Sequence, residues 1–137
     1  MNEELSAEEW FEYDIFYFLK ALRILELSAD EQCEVMGNHN VAWEIQEDVS
    51  GPIPNMVSSP MSYFTEAQSA ALVSLASALK ELPHEAILVE GLPTTSHEGS
   101  IAAMRHPSWE PLRIQASDVL RVLESVIQRN AAYFTSA

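Results

Sequence analysis

The chain has 137 residues, 47% of them apolar, a single cysteine and a formal charge of −14. This supplies apolar material for one core in one domain spanning residues 1–137, with too many aromatics and leucines for an acidic disordered chain. The acidity argues against nucleic acid or an anionic membrane as partner and favours fast encounter with a basic surface.

The charge is unevenly spread. Residues 1–48 carry −11, residues 49–104 carry −4 and residues 105–137 carry +1. No apolar run is long enough for a membrane span, and the acidic opening Met1-Asn2-Glu3-Glu4 is unlike a basic secretory signal. Lone Cys33 excludes an intrachain disulfide, which fits a reducing compartment, so a cytoplasmic location is expected.

The first helix is expected from about Ala7 to Leu27. Ser6 as N-cap and Glu9 three residues into the helix form a capping box, which satisfies two amide donors that no helical carbonyl can reach. Phe11, Ile15, Phe18, Leu22 and Leu25 recur at helical spacing and share a face. Trp10, Tyr13, Tyr17 and Ile24 make a second apolar side, leaving Glu12, Phe16 and Arg23 for the remaining arc. A helix apolar on most sides is expected to be buried among neighbours. The alternative is that Trp10, Tyr13 and Tyr17 form a contact surface, since polar-tipped aromatics suit interfaces.

Ser28 and Glu31 repeat the capping box ahead of a short helix, Ala29 to Met36. Ala29, Cys33 and Met36 should face inward and Asp30, Glu31 and Glu34 outward, with Gly37 closing the helix in a left-handed conformation. Val41 to Val49 reads as a helix capped by Asn40, with Val41, Ile45 and Val49 on one face and Trp43, Glu44 and Glu47 on the other. As a strand, Val41, Trp43 and Ile45 would share a face instead. Gly51, Pro52, Pro54 and Pro60 suggest an irregular loop from Ser50 to Phe64.

Thr65 and Gln68 form a third box before a helix from about Glu66 to Leu82, which Pro83 stops and which gathers Leu72, Leu75, Leu79 and Leu82. A short turn near Glu85 to Leu88 precedes a loop around Gly91 and Pro93. Thr95 and Glu98 suggest a fourth box, and Ser100 to Arg105 a brief helix. The last helix is expected from Trp109 to Phe134, capped by Ser108, with Leu112, Ala116, Val119, Leu120, Leu123, Ile127 and Phe134 in one stripe. Asn130 lies on that stripe and needs a hydrogen-bond partner if buried. The fold class is therefore all-α: a single-domain irregular bundle of three long and several short helices.

Catalytic signatures are sparse. His39, His84, His97 and His106 stand in or beside loops without metal-ligand spacing, Cys33 has no partner cysteine, and the four glycines form no phosphate-binding fingerprint. Asp14, within the aromatic run of the first helix, is the best candidate for a perturbed acid, with pairing to Arg113 or Arg121 the plainer expectation. No metal, cofactor or enzymatic activity is expected. A surface is the stronger candidate: Glu31, Glu34, Trp43, Glu44, Glu47 and Asp48 fall in two consecutive short elements. An aromatic anchor among carboxylates suits a basic protein partner.

Two segments, Asn38-His39-Asn40-Val41-Ala42-Trp43-Glu44-Ile45 and Ala103-Met104-Arg105-His106-Pro107-Ser108-Trp109-Glu110-Pro111-Leu112-Arg113, resemble stretches of small acidic helical proteins encoded beside bacterial polymorphic toxins. The resemblance implies an immunity protein that binds and neutralises the C-terminal domain of a contact-dependent or Rhs-type toxin. The alternatives are a regulatory adaptor or self-associating protein, a homodimer included, that uses the first helix's aromatic face, and a small enzyme with a cleft built from residues 50–64 and 89–97.

Overall fold

Three side-chain and backbone exchanges set where helices begin in the computed structural model, which describes residues 4–37 and 39–135. The Ser6–Glu9, Ser28–Glu31 and Thr65–Gln68 boxes all form, each pairing a hydroxyl with the amide three residues on and returning a side-chain oxygen to the cap amide. They start α1 (Ala7–Leu25), α2 (Ala29–Met36) and α5 (Glu66–Lys80). The remaining helices are α3 (Val41–Ser50), α4 (Ile53–Ser58), α6 (His97–Met104), α7 (Trp109–Val122) and α8 (Glu124–Thr135), with a 3₁₀ turn at His84–Ala86. No strand occurs among the described residues, so the all-α expectation holds and residues 41–50 are helical. The expectations drawn from Met1-Asn2-Glu3 and from Asn38 lie outside the described residues.

Helices α1, α3, α5 and α7 close into a ring in which each packs against two others. Helices α2 and α6 pack together over one end, α4 lies against α1 and α5, and α8 against α1 and α7. The core is the set expected from periodicity: Phe11, Ile15, Phe18, Leu22 and Leu25 of α1, Val41, Ile45 and Val49 of α3, and Leu72, Leu75 and Leu79 of α5 are all buried. Cys33 is fully buried and burial pushes its thiol up, so it behaves as a small hydrophobe.

Several expectations are corrected. Residues 53–58 are helical rather than loop: Pro52 and Pro54 sit at the helix entrance, where an amide has no intrahelical acceptor to lose. The last helix is two helices, broken at Leu123 without a proline or glycine. At the break Gln68 donates to the Val122 carbonyl at 3.1 Å and to the Ser125 hydroxyl at 3.0 Å. Ser96, not Thr95, caps α6. Its hydroxyl accepts from the Gly99 amide and donates to the Pro93 carbonyl, and the helix begins three residues earlier than expected. Gly99 is required there, since a Cβ would stand 2.0 Å from the Pro93 carbonyl oxygen. Neither Asn40 nor Ser108 caps through its side chain. Asn40 is left-handed (φ 49°) and its amide donates to Thr94, while the Ser108 amide donates to His106 Nδ1.

Two polar side chains that periodicity left unassigned tie the ends of the ring together. Gln32, fully buried, donates to the carbonyls of Ile24 and Leu25 at the end of α1. Its oxygen accepts from Arg113 Nε and Nη2, and Nη2 also donates to the Met104 carbonyl at 2.6 Å. Arg113 thereby joins α7 to α2 and to the last turn of α6, where a cation also complements the helix dipole. Arg113→Lys is expected to cost about 2 kcal/mol in urea unfolding, because an ammonium cannot reproduce the planar fork. An unchanged midpoint would show the fork to be dispensable.

Candidate functional site

Helix α3 is a ridge between two grooves. Its core face is Val41, Ile45 and Val49. On the outer side, helical spacing sets Trp43 above Glu47 and Glu44 above Asp48. Trp43 is 54% exposed, so it does not turn into the core, and it lines a groove of about 350 Å³ with Leu88, Thr94 and Ala103. Glu47 and Asp48 line the larger groove, about 860 Å³, whose other walls are α1, the end of α2 and the start of α4. Asp14, Tyr17 and Lys20 contribute from α1, Val35 and Met36 from α2, and Asn55 from α4.

Of the six residues singled out in sequence, four thus share one helix. Glu31 and Glu34 stand on the exposed outer side of α2 and line neither groove, and Glu31 is engaged by Ser28 in its capping box. The groove residues Tyr17, Lys20, Val35 and Asn55 were not singled out for it, because only the packing of α1 against α3 brings them together. Asp14, the acid inside the aromatic run of α1, lines the groove. It pairs with neither arginine proposed for it: Arg113 engages Gln32, Met104 and Glu110, and Arg121 pairs with Asp118.

Two of the groove carboxylates, Asp14 and Asp48, are held at a cost. Burial raises the Asp14 pKa. Burial raises that of Asp48 too, and the neighbouring charges of Glu44 and Glu47 push it further. None of the ion pairs among the described residues uses Asp14, Glu47, Asp48 or Lys20. A raised carboxylate pKa means that folding favours the protonated form. Its contribution is favourable at low pH and is lost as pH rises through the folded value. The double substitution Asp14→Asn and Asp48→Asn is therefore expected to raise the thermal midpoint at pH 7. That advantage should shrink as pH falls through the raised values toward the ordinary carboxylate range. A pH-independent difference would rule out charge crowding as the cause.

Neither groove is lined by a histidine. Residues 50–64 contribute to the larger groove and Thr94 to the smaller one, so neither of these two grooves is lined by both segments. Among the described residues no group of three or more His, Cys, Asp or Glu is placed to hold a metal ion, and no helix is long and apolar enough to cross a membrane. Comparison with family models, curated proteins and solved structures finds no match to this chain.

The aromatic side of α1 departs from expectation. Trp10, Tyr13 and Tyr17 are exposed, as is Phe16 of the remaining arc, whereas Glu12, assigned to that same arc, is buried. The reason lies in α8. Asn130 donates to the Glu12 backbone carbonyl and to its Oε1, each at 2.9 Å, and Tyr63 donates to the same carboxyl oxygen at 2.8 Å. Burial and this bond to Glu12 push the Tyr63 phenol well above its usual range. Arg129 lies 3.7 Å over the Tyr63 ring. The polar partner that Asn130 needed is Glu12.

Proposed function

We propose that this chain is a cytoplasmic binding protein of the immunity type, which neutralises a basic protein domain, such as a bacterial toxin's C-terminal domain, by occluding it. The observation that carries this reading is the α1–α3 groove. Asp14 and Asp48 are held there against their own folding preference, with Glu47 on the same wall, beside the exposed Tyr17 ring and Val35 side chain. Sites kept charged at a cost to stability are candidates for function. Trp43, on the same ridge, adds a hydrophobic anchor with Leu88 exposed beside it.

Charge complementarity would speed encounter and align the partner, and burial of the aromatic rings would slow its release. No step of this action requires catalysis by the chain. The test is co-expression with the C-terminal domain of whatever protein the gene immediately upstream encodes. Restored growth together with a co-purifying complex is the expected result, and no rescue with no complex overturns the reading.

A further inference from the structure

Helix α1 leaves one side uncovered, and that side is aromatic. Trp10, Phe16 and Tyr17 are 57%, 47% and 61% exposed, with Tyr13 beside them. Phe134 of α8 extends the patch, its ring centroid 5.0 Å from Tyr13 and 5.6 Å from Phe16. Single exposed hydrophobics are ordinary on a monomer, whereas a contiguous patch of five aromatics marks an interaction surface.

The charges around the patch indicate what covers it. Glu8 and Glu9 lie in the first turn of α1, and Lys20 and Arg23 toward its last. None of the four takes part in an ion pair among the described residues. A uniformly basic partner would meet Lys20 and Arg23 unfavourably. A second copy of this helix carries both signs and can match both ends.

We propose that this face pairs with the same face of a second copy, with the two α1 helices antiparallel about a twofold axis at the level of Ile15. In such a contact each pairing occurs twice. Trp10 and Lys20 are equidistant in sequence from residue 15, as are Tyr13 and Tyr17. Each copy's Lys20 therefore meets the other's Trp10 ring, a favourable cation–aromatic contact, and Tyr13 meets Tyr17. The acidic first turn runs beside the basic last turns, whereas a parallel arrangement would set Glu8 and Glu9 against themselves. The contact uses α1 and α8 and not α3, but it shares Tyr17 and Lys20 with the α1–α3 groove, so a second copy would compete there with the basic partner proposed above. Sedimentation of the chain alone reads the pairing without that partner.

Sedimentation velocity over a wide concentration range tests the pairing. The parent chain should form a dimer as concentration rises. Phe16→Ser with Tyr17→Ser should be monomeric throughout, with its helical circular dichroism and unfolding midpoint retained. Lys20→Glu with Arg23→Glu makes the α1 ends uniformly acidic. Glu8→Lys with Glu9→Gln removes the acid from the first turn and keeps a capping-box acceptor. Each charge variant alone should dimerise at least about tenfold more weakly than the parent, and a mixture of the two should regain the affinity as a heterodimer. A parent that stays monomeric, a dimer that survives the loss of Phe16 and Tyr17, or a mixture that regains nothing would each overturn the proposal. If the parent is monomeric and the Phe16/Tyr17 variant loses a basic partner domain, the face belongs to that partner.

Discussion

Asn130→Asp is expected to destabilise the fold by about 3 kcal/mol, the largest single-site effect outside the apolar core. Glu12 is 3% exposed, and its Oε1 accepts from both Asn130 and Tyr63. Asn130 faces two acceptors, the Glu12 carboxyl and the Glu12 backbone carbonyl, so its amide nitrogen must be the end that points inward. Aspartate has nearly the same shape but no donor in its ionised form, and it places a second carboxyl against the first. Asn130→Leu removes the donor without adding charge and should cost less. Tyr63→Phe, which leaves the Asn130 bonds in place, should cost about 1 kcal/mol. Guanidinium unfolding ranks the three variants. Should Asn130→Asp unfold like the parent, the Glu12 network does not support α8.

Glu47→Lys with Asp48→Lys is expected to weaken the complex with a basic partner domain by about ten- to a hundredfold, mostly through slower association. The two side chains are exposed on the groove side of α3, where charge acts on encounter before contact is made. Burial contributes most to the Asp48 shift and would act on a lysine too, while the crowding by Glu44 and Glu47 is relieved. The variant's unfolding midpoint is therefore measured alongside binding, to separate lost binding from lost folding. Trp43→Ala should instead raise the dissociation rate, since a buried ring contributes after docking. Stopped-flow association at two salt concentrations separates the effects. An association rate and salt dependence equal to the parent's would remove the acidic ridge from the interface.

The order in which the elements became legible has a physical basis. Helix starts at Ser6, Ser28 and Thr65 were readable because a capping box is local: its donors and acceptors lie within four residues of each other. The inward faces of α1, α3 and α5 were readable because a period of 3.6 residues needs no knowledge of neighbours. The break at Leu123 was not, because no local breaker occurs there and the side chain that meets the freed strand of backbone, Gln68, is 54 residues away. The burial of Glu12 was hidden for the same reason, since Asn130 lies 118 residues further on.

The candidate site divides in the same manner. Trp43, Glu44, Glu47 and Asp48 could be grouped from sequence because one helix carries them, and the acidity of residues 1–48 followed from counting. Whether Trp43 faced the core or the solvent depended on which side of α3 met α1 and α5. The groove itself depended on α1 crossing beside α3, which brought Asp14, Tyr17 and Lys20 to Glu47 and Asp48 and left Glu31 and Glu34 outside it. By itself the sequence determined most of the helices and of the core, and the concentration of charge in the first 48 residues, all of them set by local geometry or composition. Tertiary structure alone decided that the second apolar side of α1 stays exposed while Glu12 is buried, and where the carboxylates converge, because each depends on contacts between residues far apart along the chain.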